Sequence, residues 1–316
     1  MKRTFIVFSC LLIPSITMAT FSGYTYKRAI TVDYTKVSTH ALTLTDFPVL
    51  VSTNGVTVST SASGGHLSNA SGFDLIFSTK DDCSYNLSWD TETVNNSGTA
   101  TLNVWGKIPS VSSNTNTVFY MCYGNSGISS YQGNSTSVWD TGFKGVWHLE
   151  NGSTLNAKDS TVNAKAGTPG GTTTPSATTG RVDGAALYAG STPKIDMGDQ
   201  SNLDIAYGTL EAWVYNTGNN EQNMIISKGD WYNGRNGYVL RLVQTSLTIY
   251  PAILGSSGAD ACEGATTVTS NAWHLIGASW DGSAITTYLD GNIDCTKSSA
   301  QNSTPAGRVF QVGNNS

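Results

Sequence analysis

Hydrophobic positions in the first third of the chain recur in short runs broken by turn residues. The clearest runs are Tyr26 to Tyr34, Phe47 to Ser52, Phe73 to Ser78, Thr99 to Lys107 and Thr117 to Tyr123. Phe73, Leu75 and Phe77 alternate with polar or opposite-facing residues, as do Leu102, Val104 and Gly106, which is the period-two pattern of strands. Asn54-Gly55, Gly64-Gly65 and Asn95-Asn96-Ser97-Gly98 supply the turn chemistry between them. Five or more strands of this length with no helical pattern between them predict an antiparallel sandwich.

The pattern then breaks. Gly124 to Ser137 is rich in Gly, Ser and Asn and marks a domain boundary. A strand is expected from Lys144 to Leu149, and the polar stretch Thr168 to Gly180 reads as a mobile surface loop. Strands resume at Ala185 to Tyr188, Lys194 to Met197, Gly208 to Tyr215, Asn223 to Ser227, Gly237 to Leu242, Leu247 to Ile253, Trp273 to Trp280 and Ala284 to Leu289. Leu210, Ala212 and Val214 alternate with Glu211, Trp213 and Tyr215, so both faces of that strand carry bulky groups, as suits a central strand. Asp281-Gly282 and Asp290-Gly291 are hairpin turn signals around the last of these runs. The expected fold class is all-β, with two antiparallel β-sandwich domains. Residues 20–131 form the first, 132–143 a linker and 144–316 the second.

Residues 1–19 stand apart. Lys2 and Arg3, the apolar run Phe5 to Ile16 and the small-x-small Thr17-Met18-Ala19 have the organisation of a cleaved secretory signal peptide. No later apolar run approaches the ~20 residues needed to cross a bilayer, so the chain is expected to be secreted or at the cell surface. Its removal takes Cys10 away and leaves Cys83, Cys122, Cys262 and Cys295. An even number in an exported chain implies two disulfides. Four cysteines allow three pairings, and the domain division favours Cys83–Cys122 with Cys262–Cys295, each worth ~3–4 kcal/mol by chain entropy. No CxxC or HxxxH spacing supports zinc.

Composition narrows the function. Charged residues are 12% of the chain, hydrophobic ones 39% and aromatic ones 10%, so it can build cores but has about half the usual ~25% charge. The net charge of −5 argues against a nucleic-acid partner, which needs basic patches to neutralise phosphates.

The second region resembles a known family. Gly184-Ala-Ala-Leu-Tyr188, Thr209-Leu-Glu-Ala-Trp-Val214, Ile226-Ser-Lys-Gly229, Gly237-Tyr-Val-Leu240, Trp273 through Gly282 and Tyr288-Leu-Asp-Gly291 look like the laminin-G-like jelly roll of the concanavalin A-like lectin/glucanase superfamily. The resemblance covers roughly 144–316 and implies two packed antiparallel sheets. Members usually continue past a Val-Gly-Asn-like segment into another strand. The chain stops at Asn314-Asn315-Ser316, so the expectation is a jelly roll lacking its last strand, either a fragment of a longer protein or a sheet completed by a partner strand. Tyr26 to Val32, Leu44 to Leu50, Phe73 to Phe77, Val104 to Pro109 and Asn116 to Asn125 resemble a bacterial domain of unknown function that precedes such jelly rolls in exported surface proteins. That second resemblance carries no activity.

Glycanase relatives cut with two carboxylates ~5–5.5 Å apart, presented by a Glu-x-Asp-x-x-Glu strand. Glu211 has no second acid two or five places on, and Asp33, Asp74 and Glu92 read as unpaired at catalytic spacing, so no enzyme is expected. Many related jelly rolls hold Ca²⁺, and Asp196 and Asp199 are the candidate ligands because that ion takes hard oxygen donors. Sugar binding needs an aromatic platform flanked by hydrogen-bonding groups. The loop from Lys228 to Gly237 has that composition: Trp231 and Tyr232 would be the platform, with Asp230, Asn233 and Arg235 as polar contacts. The expected function is an exported, non-catalytic binding protein recognising a polysaccharide or a cell-surface glycan or protein through jelly-roll loops. The rivals are a structural spacer in a large surface adhesin and an atypical glycoside hydrolase.

Overall fold

A computed structural model of the chain describes residues 23–37, 43–95, 100–150, 154–190, 192–218, 223–229, 236–255, 258–299, 301–303, 305 and 307–313. It divides into two compact units, one centred on residues up to 146 with 160–162, the other on 147–159 with the residues from 163 onward. All pairings between named strands are antiparallel. Among the described residues no helix is long and apolar enough to cross a membrane.

The first unit contains β1 (Tyr26–Val32), β2 (Leu44–Asn54), β3 (Ile76–Ser78), β4 (Trp89–Asn95), β5 (Thr101–Val111) and β6 (Thr117–Tyr123). They form two three-stranded sheets, β1-β6-β3 and β2-β5-β4. Alternate residues from both sheets meet in one core: Ile30, Val49, Val51, Phe77, Trp89, Leu102, Val104, Phe119 and Met121. This is the two-sheet sandwich that period-two patterning predicts. The Asp74 carboxylate is buried and accepts the backbone N–H groups of Ser68, Asn69 and Gly124 at 2.7, 3.0 and 2.9 Å, tying a long connection to the end of β6.

The expected linker 132–143 is part of this unit. A helical turn, Ser135–Val138, delivers Trp139 to the outer face of the β2-β5-β4 sheet. There it is 2% exposed, its indole donates to Asp90 Oδ2 at 2.8 Å, and its ring lies 5.4 Å from Trp105 and 5.1 Å from Phe143. A Gly/Ser/Asn-rich composition signals a linker only when nothing in it anchors. Here one Trp does.

The second unit adds β7 (Thr168–Gly170), β8 (Ser176–Thr179), β9 (Gly184–Leu187), β10 (Lys194–Asp196), β11 (Gly208–Tyr215), β12 (Asn223–Lys228) and β13 (Gly237–Leu242). Following these are β14 (Ile249–Gly255), β15 (Gly258–Ala261), β16 (Trp273–Trp280), β17 (Ala284–Leu289), β18 (Asn292–Ser298) and β19 (Phe310–Gly313). One sheet has the order β15-β14-β13-β12-β19-β10-β7, the other β11-β16-β17-β18, and β8 pairs with β9. Leu210, Ile276, Ala278 and Trp280 from the smaller sheet meet Ile195, Ile226, Tyr238, Leu240, Ile253 and Phe310 from the larger. Tyr238 lies 5.3 Å from the Trp280 ring and 6.4 Å from Phe310, which stacks on Trp147 at 5.3 Å.

Three expectations are corrected here. Lys144 to Leu149 is not a strand; it contributes a single bridge, Trp147 to Asp159. The polar stretch 168–180 contains β7, an edge of the large sheet, and β8, half of a hairpin. Threonine-rich segments pair readily once a partner strand is beside them. β11, read as central from its two bulky faces, is an edge of the four-strand order. Both disulfides form as paired by domain: Cys83–Cys122 and Cys262–Cys295, with Cα atoms 6.3 and 5.9 Å apart.

Candidate functional site

Residues 230–235, and with them Asp230, Trp231, Tyr232, Asn233 and Arg235, lie outside the described residues. What frames them is described. β12 and β13 pair to their ends, Lys228 opposite Tyr238, and Gly229 (φ 138°) and Gly237 (φ 136°) form the neck of the connection. A Cβ on Gly237 would collide with the Lys228 carbonyl, and one on Gly229 with the Asn236 carbonyl. Only glycine takes both the backbone angle and the close approach, so the two ends of the loop are held together on a rigid hairpin.

Beneath that neck is an ion cluster that the sequence reading missed. The Lys228 side chain is fully buried. Its ammonium lies 3.0 Å from Asp199 Oδ1 and 3.1 Å from Asp204 Oδ1, and it donates to the Arg308 carbonyl at 2.6 Å. Tyr238 beside it donates to the Leu203 carbonyl at 2.9 Å; burial, and then the Asp204 charge, push its hydroxyl well above its ordinary range. A buried ammonium needs this many acceptors. The alternation in β12 turns Lys228 to the core side, but no sequence pattern announces its partners, which come from 199, 204 and 308.

Asp196 and Asp199, the candidate calcium ligands, are both engaged by protein groups. Asp199 is paired through Oδ1 with Lys228 at 3.0 Å. Asp196 accepts the Gly198 N–H at 2.7 Å and the Gln311 side chain at 3.3 Å, with Lys194 3.9 Å away. Among the described residues no group of three His, Cys, Asp or Glu side chains is arranged to hold a metal.

The outer face of the four-stranded sheet is a further surface with chemistry. Leu210, Ala212 and Val214 pack on the core, which turns Thr209, Glu211, Trp213 and Tyr215 outward. Register then sets rows across the strands: Glu211–Gly277–Tyr288, Thr209–Ser279–Thr286–Thr296, Trp213–Leu275 and Tyr215–Trp273. The Ser279 and Tyr288 hydroxyls are 3.1 Å apart, the Tyr215 and Trp273 rings 5.5 Å, and the Arg181 guanidinium stands 5.4 Å over the Trp213 ring. Burial alone pushes the Glu211 carboxyl up to about 8.

The Asp90, Glu92, Asp281 and Asp290 carboxylates hold structure together. Asp90 and Glu92 lie two apart on β4, a spacing overlooked in reading Glu92 as unpaired. Both are buried, and each accepts an indole N–H: Trp139 at 2.8 Å for Asp90, Trp105 at 2.7 Å for Glu92. His274 is held between Thr269 and Asp290, at 2.7 and 2.8 Å. Asp281 accepts the N–H groups of Ser283 and Ala284, as a turn residue does.

Residues 189–316 match the family model described as the concanavalin A-like lectin/glucanases superfamily, a class that the two-sheet second unit also fits. No curated protein matches the chain. Several solved structures are similar. Domain 4 of AbnA, a GH43 extracellular arabinanase from Geobacillus stearothermophilus in complex with arabinotriose, has 19% identity over 51% of this chain and 79% of that one, with a TM-score of 0.41. Carbohydrate-binding module CBM66 from Bacillus subtilis has 15% identity over 45% and 89%, with a TM-score of 0.30. A heptameric SAP-like pentraxin from Limulus polyphemus has 12% identity over 34% and 52%, with a TM-score of 0.27.

Proposed function

We propose that the protein is an exported, non-catalytic binding protein that recognises glycan through the β12–β13 loop of its second unit. The observation that carries this reading is the loop's frame. Two positive-φ glycines and a fully buried lysine hold the ends of a segment whose sequence, Asp230-Trp-Tyr-Asn-Gly-Arg235, combines aromatic surface with hydrogen-bonding groups. Fixing the two ends of a connection lowers part of the ordering cost that a ligand must otherwise offset. The lectin/glucanases description of the family matched at 189–316 supports the ligand class. The leader-like residues 1–19 and the two disulfides support export. A glycan array, run with and without EDTA, tests the reading. Binding that is lost in Trp231→Ala and unchanged by EDTA is expected, since Lys228 stands at the carboxylates a metal would need. An array without any binder overturns it, and release of reducing sugar by the purified protein overturns the non-catalytic part.

A further inference from the structure

The cluster at Lys228 is not an ordinary ion pair. Lys27–Asp81, Lys194–Asp196 and Lys297–Asp260 stand 3.8, 3.9 and 3.8 Å apart, with each lysine at least partly open to solvent. Lys228 is closed off, and its nitrogen meets two carboxyl oxygens, Asp199 Oδ1 at 3.0 Å and Asp204 Oδ1 at 3.1 Å. The two contacts differ in kind. Asp199 Oδ1 accepts a hydrogen bond from the nitrogen. Asp204 Oδ1 is buried and makes no hydrogen bond, although the nitrogen abuts it. Asp204 is also the more enclosed of the two side chains, 24% exposed against 46%.

Both partners are held in place. Lys228 pairs in register with Tyr238 of β13 on one side and Phe310 of β19 on the other, and these are 1% and 3% exposed. Asp204 closes the helical turn Ser201–Leu203, its N–H donating to the Ser201 carbonyl at 3.1 Å. The Tyr238 hydroxyl fixes the preceding carbonyl, that of Leu203. Amine and carboxyl therefore face each other on anchored backbone, between aromatic neighbours.

We infer that Lys228 and Asp204 are the site of an intramolecular amide cross-link, formed by condensation of amine with carboxyl while Asp199 carries the proton. The ammonium passes one proton to Asp199 Oδ1, and rotation about the Cε–Nζ bond turns the freed lone pair to Asp204 Cγ. A C–N bond forms and one C–O bond breaks. The departing oxygen takes the proton held by Asp199 and a second from the nitrogen, and leaves as water. Asp199 ends as the carboxylate it began as. An ammonium and a carboxylate become an amide and a water, so atoms and charge balance with no other reactant. Fixed geometry favours such a step through effective molarities of up to ~10⁵–10⁸ M, and exclusion of water opposes its reversal. The product fastens the turn before β11 to the end of β12, directly under the Gly229–Gly237 neck.

Mass spectrometry of the full chain, reduced and denatured, is the test, and it needs no ligand. Trypsin does not cut after an acylated lysine. The expected product is therefore Ile195–Arg235 as one peptide, lighter by one water, with fragment ions placing the link between Asp204 and Lys228. Lys228→Arg keeps a cation but removes the amine, and Asp204→Ala removes the acceptor; both are expected to abolish the cross-link. Asp199→Asn cuts the cross-linked fraction, at a fixed time after synthesis, by ~10-fold or more, as loss of a general base does. Cleavage of the parent after Lys228, giving Ile195–Lys228 at full mass, overturns the inference. So does a link that maps to Asp199, or a water loss that persists in Lys228→Arg. A fraction unchanged in Asp199→Asn overturns the role given to Asp199. The parent measurement decides whether the bond exists, whether or not a variant folds.

Discussion

Glu211 and Lys228 are opposite solutions to placing a charge-bearing group in a β-sandwich. Lys228 is surrounded by two carboxylates and a carbonyl; Glu211 is kept neutral instead. In the unfolded chain Glu211 ionises near 4.5, whereas in the folded protein it holds its proton to about 8. Between those values the folded state binds one proton more, so stability falls as pH rises, by up to ~1.4 kcal/mol per unit, and levels off above pH 8. Glu211→Gln abolishes that slope. Thermal unfolding at pH 5, 6, 7 and 8 should therefore show the Gln variant gaining steadily on the parent, and parallel curves would refute the assignment. Lys228→Ala leaves Asp199 and Asp204 without their cation. A loss of ~3 kcal/mol in denaturant unfolding is expected, at the low end for a buried pair because Asp199 keeps 46% of its side chain exposed.

At the scale of elements, patterning was a good guide where one face meets a core and a poor one elsewhere. β2 and β5 are legible because Val49, Val51, Leu102 and Val104 alternate cleanly. β11 is legible as a strand, but not as an edge: its outward Trp213 and Tyr215 look like core residues in a linear sequence and are partly exposed in the fold. The segment 132–143 is the sharper lesson. Its composition is that of a linker, yet Trp139 binds it to Asp90, Trp105 and Phe143. Trp139→Ala should cost the first unit ~3–5 kcal/mol, and limited proteolysis should then cut between 130 and 143 where the parent resists. The β12–β13 neck makes a companion prediction. Gly237→Ala forces a Cβ against the Lys228 carbonyl at φ 136°, so glycan binding by the loop should fall even where the melting temperature drops only a few degrees.

For the whole molecule, the sequence alone determined the all-β class, because alternation and turn residues are local, and of the three possible cysteine pairings it favoured the one that forms. Replacing either cysteine pair by alanine should lower unfolding free energy by ~3–4 kcal/mol, measured by denaturant titration followed by tryptophan fluorescence. Which carboxylates are used, and for what, belongs to the tertiary structure. Asp196 and Asp199 read as metal ligands in the sequence, and folding brings Lys228 to Asp199 and Gln311 to Asp196, across 29 and 115 residues of sequence. Glu211 reads as an ordinary strand acid until β16 sets Gly277 beside it and withholds a partner. The environment of a charge is made by residues distant in the chain, and strand register, an outcome of packing, decides which of them arrive.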